Sequence, residues 1–347
     1  MPTKIKSKDG AQNQHYVPKL VLRNFLSNET REQVTVFDKK TGNTFTPNIA
    51  GVMAERRFHD FQVSDEYIAS FEQTAGRVED ALLPTYRRIL DERRLNHSAE
   101  EQAHLAMLVA FQFLRTRRQR DRFVEMEEMI GAKLEQMGGK LEDLDGYVPL
   151  TEDRLKQQHA SFIVDAIKEF TNLIGGKHMM LISAAPGRDF YISDNPVVLY
   201  NDQDFGPYGN LGLGVRGIQI HLPLSHDLML ACLCPTILNG AVEQLDKNLN
   251  EVRAALLPLV MAGRITGEQM RARVAIIEEK GCRIRGWWQR YMDGIADTGN
   301  DENMDFYNSL QMSQSRQFVI SKNEDFALAK RFVADFPGHK PTGFRVN

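Results

Sequence analysis

Met179-Met180-Leu181-Ile182-Ser183, then Ala184-Ala185-Pro186-Gly187, then Phe190-Tyr191-Ile192-Ser193 read as a strand, a turn and a strand. Two short apolar runs lie either side of a Pro-Gly pair, and no helical spacing runs through them. Everything between Ser64 and this stretch has helical texture. The chain therefore changes from long helices to strands near residue 178, which is the order expected of an α+β fold.

Three long helices are predicted upstream. Ser64 caps the first, and apolar residues recur at Tyr67, Ile68, Phe71, Ala75, Val78 and Leu82, with Pro84 able to kink it. Ser98 with Glu101 forms a capping box for the second, which runs to Met137 and ends at Gly138-Gly139. It is apolar almost all round from Leu105 to Leu114, so that stretch belongs in the interior. The third runs from Thr151 to Gly175-Gly176. Before them, Pro18 suits the first turn of a short helix, and 34–38 with 44–47 flank a Gly42 turn as a hairpin.

Downstream, Asp202 to Gly217 is a glycine-rich loop, and Ile218–Leu222 and Leu228–Leu233 are strands. Asn239 to Gly294 is helical, interrupted by Pro258 and by Gly263 to Gly267. A strand at 317–321 and a helix at 325–336 follow. The expected fold is α+β, predominantly helical, with one small antiparallel sheet.

A chain of 347 residues can bury one large core or two modest ones. Net charge is −3, so bulk charge favours no polyanion. The three cysteines, Cys232, Cys234 and Cys282, form no C-x-x-C pair and give no disulfide framework, which fits a reducing cytoplasm. Residues 1–14 are polar, carry three lysines and lack the apolar core of a signal peptide, so a flexible tail is expected. No uncharged apolar stretch approaches the ~20 residues of a membrane span.

Two segments place titratable groups beside proline bends: Gln14-His15-Tyr16-Val17-Pro18 and Ile192-Ser193-Asp194-Asn195-Pro196. With Val34–Lys39, Phe71-Glu72 and Glu79, Gln112-x-x-Arg115-Thr116, Leu222-Pro223-Leu224-Ser225 and Asn308–Gln311 before Phe318–Ser321, they follow an order that resembles an uncharacterised bacterial and fungal family, domain of unknown function 4238. The resemblance covers most of the chain and implies no activity. About Cys234 to Asp305 is longer than the family pattern and reads as a helical insertion (234–305), packed on a main domain of 15–233 and 306–336.

Several of these residues could carry chemistry. His15, just before a helix start, would stay neutral, as a general base requires, or would simply bond its turn backbone. Asp194 ends a strand, where a sheet can aim a carboxylate at a metal or at His15, or it bonds its own turn. Gln112 and Arg115 share one helix face and could grip a phosphate or carboxylate. The structural alternative is an ion pair of Arg115 with Asp194, Glu72 or Glu79. Asn308 and Gln311 could join Gln112 in a substrate site or cap it. Glu72 and Glu79, seven apart, could hold a divalent cation with Asp194, although solvent-facing glutamates are commoner.

The run from Arg115 to Arg122 is the one dense basic cluster. It offers a stripe for nucleic acid, or a solvated face neutralised by Glu125, Glu127 and Glu128. Trp287-Trp288 with Tyr291 could stack on bases or pack helices. His178, His221 and His226 lack metal spacing with any cysteine and read as surface or turn residues. G-x-S-x-G, Walker A, H-E-x-x-H and G-x-G-x-x-G motifs are absent. The function expected is an enzyme, or a degenerate one, acting on a phosphate-containing substrate such as nucleic acid, a hydrolase in class. The alternative is a non-catalytic nucleic-acid- or protein-binding module.

Overall fold

The computed structural model describes residues 13–64, 67–206 and 209–341. In chain order the first part holds β1 (Asn13–His15), α1 (Lys19–Leu22), β2 (Thr35–Asp38), β3 (Thr44–Phe45), β4 (Ala54–Arg56), β5 (Asp60–Ser64) and β6 (Tyr67–Ser70). The helical part holds α2 (Glu72–Glu92), α3 (Ala99–Leu114), α4 (Arg117–Gln136) and α5 (Glu152–Gly175). The remainder holds β7 (His178–Ser183), β8 (Ile192–Ser193), β9 (Val198–Tyr200), β10 (Gln219–Ser225) and β11 (Leu228–Leu233), and then α6 (Pro235–Met261) and α7 (Gly267–Asp293). It ends with β12 (Asp297–Thr298), α8 (Asp301–Gln314), β13 (Phe318–Ser321) and α9 (Ala327–Asp335).

The fold is α+β and mostly helical, but the expected one sheet is several. A five-stranded sheet runs β12-β7-β11-β10-β9, and a four-stranded sheet runs β3-β2-β13-β8. The pairs β1-β4 and β5-β6 stand apart. The larger sheet is not wholly antiparallel, because β12 pairs with β7 in parallel. The stretch 179–193 accounts for the division. Its two strands do not share a sheet: β7 pairs with β11, whereas Ile192 and Ser193 pair with Ile320 and Val319 of β13. Gly187, at φ 76°, supplies the left-handed residue of the turn between them.

Two helix boundaries also move. The first long helix begins at Glu72, because 67–70 pair with β5 as a strand. The second breaks at Thr116, which leaves helical geometry (φ −73°, ψ 157°) and separates α3 from α4. Thr116 Oγ1 donates to Phe113 O and Asn195 Oδ1, both at 3.4 Å, a local alternative that hydroxyl residues offer to the helix ladder. Ser98 Oγ does accept from Glu101 N, but the Glu101 carboxylate takes Asn96 N and His97 N instead of closing the box. Pro258 lies inside α6 without interrupting it.

The expected tail loses its last two residues to structure. Asn13 and Gln14 belong to β1, paired with Arg56 and Glu55; residues 1–12 lie outside the described residues. The main core joins Leu105, Val109 and Ala110 of α3 to one face of the larger sheet, including Leu181, Leu222 and Leu230. The opposite face, with Met180, Ile182 and Ala231, packs against Met304 of α8 and Trp287 and Tyr291 of α7.

The α6–α7 hairpin has a cluster of its own around Leu245, Leu249, Leu256 and Val274. Its root is tied to the body, however. Gly294 closes α7 at φ 67°, its carbonyl accepts Leu95 N at 2.8 Å, and a Cβ there would stand 1.9 Å from Leu95 O. The next segment then supplies β12 to the body's own sheet.

Helix α8 holds 189–199 by side-chain amides. Asn308 Oδ1 accepts Tyr191 N at 2.7 Å and its Nδ2 donates to Asp189 O at 2.9 Å. Gln311 accepts from Ser193 N and Oγ and donates to Pro196 O. Gln314 both accepts from Leu199 N and donates to Leu199 O. Residues at i, i+3 and i+6 share a helix face, so the three amides act as a surrogate strand edge.

Candidate functional site: a buried polar node beside the first strand

Gln14 is the hinge of the first strand's surroundings. Its Oε1 accepts His59 N at 2.5 Å and its Nε2 donates to Asp60 Oδ1 at 2.7 Å, which also accepts Ser70 Oγ. The next carbonyls are gripped from α3. Arg115 Nη2 donates to His15 O at 2.6 Å, and Gln112 Nε2 donates to Tyr16 O at 3.0 Å. Gln112 and Arg115 thus share one task, as their three-residue spacing allows. The ligand they hold is the backbone of the chain itself.

His15 is buried, and burial holds its imidazole below the ordinary value. Its Nε2 bonds Ile49 O at 2.9 Å. A carbonyl only accepts, so Nε2 carries the proton. Burial favours the neutral ring, and this bond ties it to the backbone.

The node forms around Arg115, which is 1% exposed. Its Nη1 pairs with Glu79, and its guanidinium lies 4.9 Å from the centre of the Phe111 ring. Glu79, not Asp194, is therefore the compensating carboxylate. Beside it His59 Nε2 stands 3.7 Å from Glu72 Oε2, too far for a hydrogen bond. Burial drives the His59 imidazole well below its usual value, with Arg115 and Arg120 adding to the effect. Burial also pushes the Glu72 carboxyl up to about 7; Arg115 opposes the shift, and Glu79 and Asp60 reinforce it.

Three polar atoms here are shielded from solvent and lack a hydrogen-bond partner among the described residues: His59 Nε2, Glu72 Oε2 and Arg115 Nε. Such atoms are rare in folded proteins because each costs about 1–3 kcal/mol. A second histidine, His159, is buried nearby. Its Nε2 bonds Leu114 O at 2.8 Å, and burial holds it down to about 3.

Asp194 occupies a different place. Its Oδ1 accepts Arg316 N at 2.7 Å, and its Oδ2 accepts Gln317 N at 2.7 Å and Phe318 N at 2.9 Å. Burial pushes this carboxyl up, against those amides and the Lys39 ammonium. Asp194 thus caps the entry to β13 and donates no orientation to His15. Asn308 is likewise bound to Tyr191 and Asp189 and does not join Gln112. The structure gathers His15, Gln112 and Arg115, and adds Glu72 and Glu79. Asp194 and Asn308 serve the β8–β13 region.

The metal set expected from Glu72, Glu79 and Asp194 does not assemble: Glu79 pairs with Arg115, Asp194 takes three backbone amides near β13, and Glu72 faces His59. Among the described residues no group of three or more His, Cys, Asp or Glu is placed to hold a metal ion. The basic run also differs from a solvated stripe. Arg115, Arg118 and Arg120 are buried. Arg117 pairs with Glu55 and Asp121, and Arg118 with Glu125. Arg120 donates to Phe58 O at 2.7 Å and lies 3.6 Å from the Phe58 ring centre. His221, expected at the surface or in a turn, is 1% exposed. His226 does sit in the β10–β11 turn. His178 is half-buried and bonds Tyr291 Oη and Asn239 Oδ1.

Sequence reasoning missed His59 and took Arg120 only as part of the basic run. His59 is a lone histidine in Arg57-Phe58-His59-Asp60, with no motif spacing to Glu72. The one signal was Glu72 itself, at the start of a helix.

The node makes a pH prediction. Glu72 has a raised folded value, so its contribution to stability is full below about 4.5 and lost as pH rises through about 7. His59 has a depressed value, so its contribution is present above about 6.5 and lost as pH falls toward its folded value. The two oppose each other. Relative to the unsubstituted chain, Glu72→Gln should make the thermal midpoint climb more steeply between about pH 5 and 6.5. His59→Gln should make it fall as pH rises through about 7. Midpoints that move with the opposite signs would refute the assignment.

Fold and node define an α+β protein built around an internal cluster of ionisable groups. A family model described as Protein of unknown function (DUF4238) matches residues 13–325, and the chain belongs to that family. Searches of curated proteins and of solved structures returned no match. Among the described residues no helix is long and apolar enough to cross a membrane.

Proposed function

We propose that the chain is an enzyme acting by general acid–base chemistry on a phosphate-containing substrate, with Glu72 as the group that exchanges protons. The supporting observation is the His59–Glu72 approach at 3.7 Å, in which neither facing atom has a hydrogen-bond partner. A carboxyl near 7 is matched to proton transfer at neutral pH, and unpartnered, perturbed groups concentrate at functional sites. His59 supplies a neutral nitrogen, and Arg115 supplies a fixed positive field toward a phosphate. His15 acts through position: its carbonyl holds Arg115 in place.

A second reading, a degenerate or non-catalytic binding module, is favoured by the commitment of Arg115 to Glu79 and His15 O. Nucleic acid as the partner draws little support from the basic run, whose arginines are largely turned inward.

The two readings part in one assay. p-Nitrophenyl phosphate, its diester and a single-stranded oligonucleotide are each incubated with the chain, with and without magnesium. The enzyme reading expects turnover of at least one, reduced about 100-fold or more by Glu72→Gln, with a rate inflection near pH 7 in the unsubstituted chain. Turnover of none of them, or turnover indifferent to Glu72→Gln, would leave the binding module as the function.

A further inference from the structure

A cleft of about 370 Å³ opens between the larger sheet and the two helices that cover it. It lies on the sheet face away from α3, and none of its lining residues belongs to the node. Its volume is within the range of small-molecule sites. Ile182 and His221 form its floor from β7 and β10, Trp287 reaches over it from α7, and Tyr307 closes it from α8. Arg283 and Arg290, also on α7, line its cationic side.

His221 sets this cleft apart from a packing gap. It is 1% exposed, and its fully shielded Nδ1 has no hydrogen-bond partner among the described residues. The surroundings are aromatic, with the Tyr307 ring centre 5.1 Å away and that of Phe306 6.5 Å away. A stability-driven sequence would place an apolar residue there, because an unpartnered imidazole in such a wall costs about 1–3 kcal/mol. Arg290 is matched by Asp297 at 2.7 Å. Arg283 has no ion-pair partner among the described residues, and its side chain is exposed at the cleft. Asn300 and Asn303, at the rim, turn their Oδ1 atoms to each other's backbone amides as a capping box.

We propose that this cleft binds a small organic anion with a flat apolar body. The ring lies between Trp287, Tyr307 and Ile182, the anionic group meets Arg283, and a polar atom of the ligand meets His221. Phosphate monoesters and carboxylates share this chemistry, because a guanidinium grips either. The site is independent of the acid–base node, and either can fail without the other.

The chain has two tryptophans. Trp288 packs toward Tyr291 and His178 rather than lining the cleft, so Trp288→Phe leaves Trp287 as the sole reporter. In that background phenyl phosphate and benzoate are titrated to about 10 mM, tenfold above a millimolar site, with phenol as the neutral control. The proposal expects a saturable change in Trp287 emission with at least one anion. The stronger of the two identifies the anionic group. Binding should weaken about tenfold with phenol, with Arg283→Gln and with His221→Leu, while His221→Leu melts no lower than its parent. Arg283 is exposed, so Arg283→Gln tests the site even if the His221 variant misfolds. No saturable change with either anion, or equal affinity in Arg283→Gln, would overturn the proposal.

Discussion

Asp194→Ala is expected to destabilise the protein by about 4 kcal/mol or more, measured by urea unfolding. Three backbone amides, those of Arg316, Gln317 and Phe318, converge on one carboxylate that is 2% exposed. Each amide left without an acceptor costs about 1–3 kcal/mol. Against a typical total of about 5–15 kcal/mol, the loss takes much of the margin. Asp194→Asn keeps one acceptor oxygen and turns an N–H pair toward the amides, so it should also destabilise, though less. A loss below about 1 kcal/mol for the alanine variant would mean that the amides find other partners on relaxation.

The second large effect lies at Arg115. Glu79→Ala removes the carboxylate paired, among the described residues, with the Arg115 guanidinium, whose side chain is 2% exposed. An uncompensated buried charge costs about 3–5 kcal/mol. Because Glu79 itself is 29% exposed, water can reach the vacated place, and the lower end, about 3 kcal/mol, is expected. Glu32→Ala is the internal control. Its pair with Arg23 is half-exposed on both sides, and such pairs contribute about 0–1 kcal/mol. Equal losses from the two substitutions would show that Arg115 is hydrated through some other route and that the node is not closed.

The sequence was most readable where one element's own pattern decides the outcome. The third long helix has its cap at Thr151 and its end at Gly175-Gly176, as its pattern indicates. The strands at 178–183 and 228–233 were visible as apolar runs. Pairing was not visible. Ile192-Ser193 looks like the return of a strand–turn–strand unit, yet joins β13, more than a hundred residues away. Residues 67–70 fit a helical stripe, but partners at 60–64 bind their backbone as a strand.

The candidate site divides in the same way. Gln112 and Arg115 could be singled out because polar groups inside an apolar helix must find partners. That the partners are the carbonyls of Tyr16 and His15 depends on tertiary placement. Asp194 was legible as a special residue with two open roles, because a carboxylate aimed at three amides and one aimed at a reactant look alike in sequence. His59 carried no spacing signal at all.

The three amide side chains of α8 act as a zip with fixed teeth. A β edge can slip by two residues and keep its side chains on the same faces. Asn308, Gln311 and Gln314 cannot, because a shift of α8 along 189–199 would disengage every tooth at once. The zipped segment includes β8 of the smaller sheet and β9 of the larger one. One helix therefore fixes the relative placement of two sheets that share no strand.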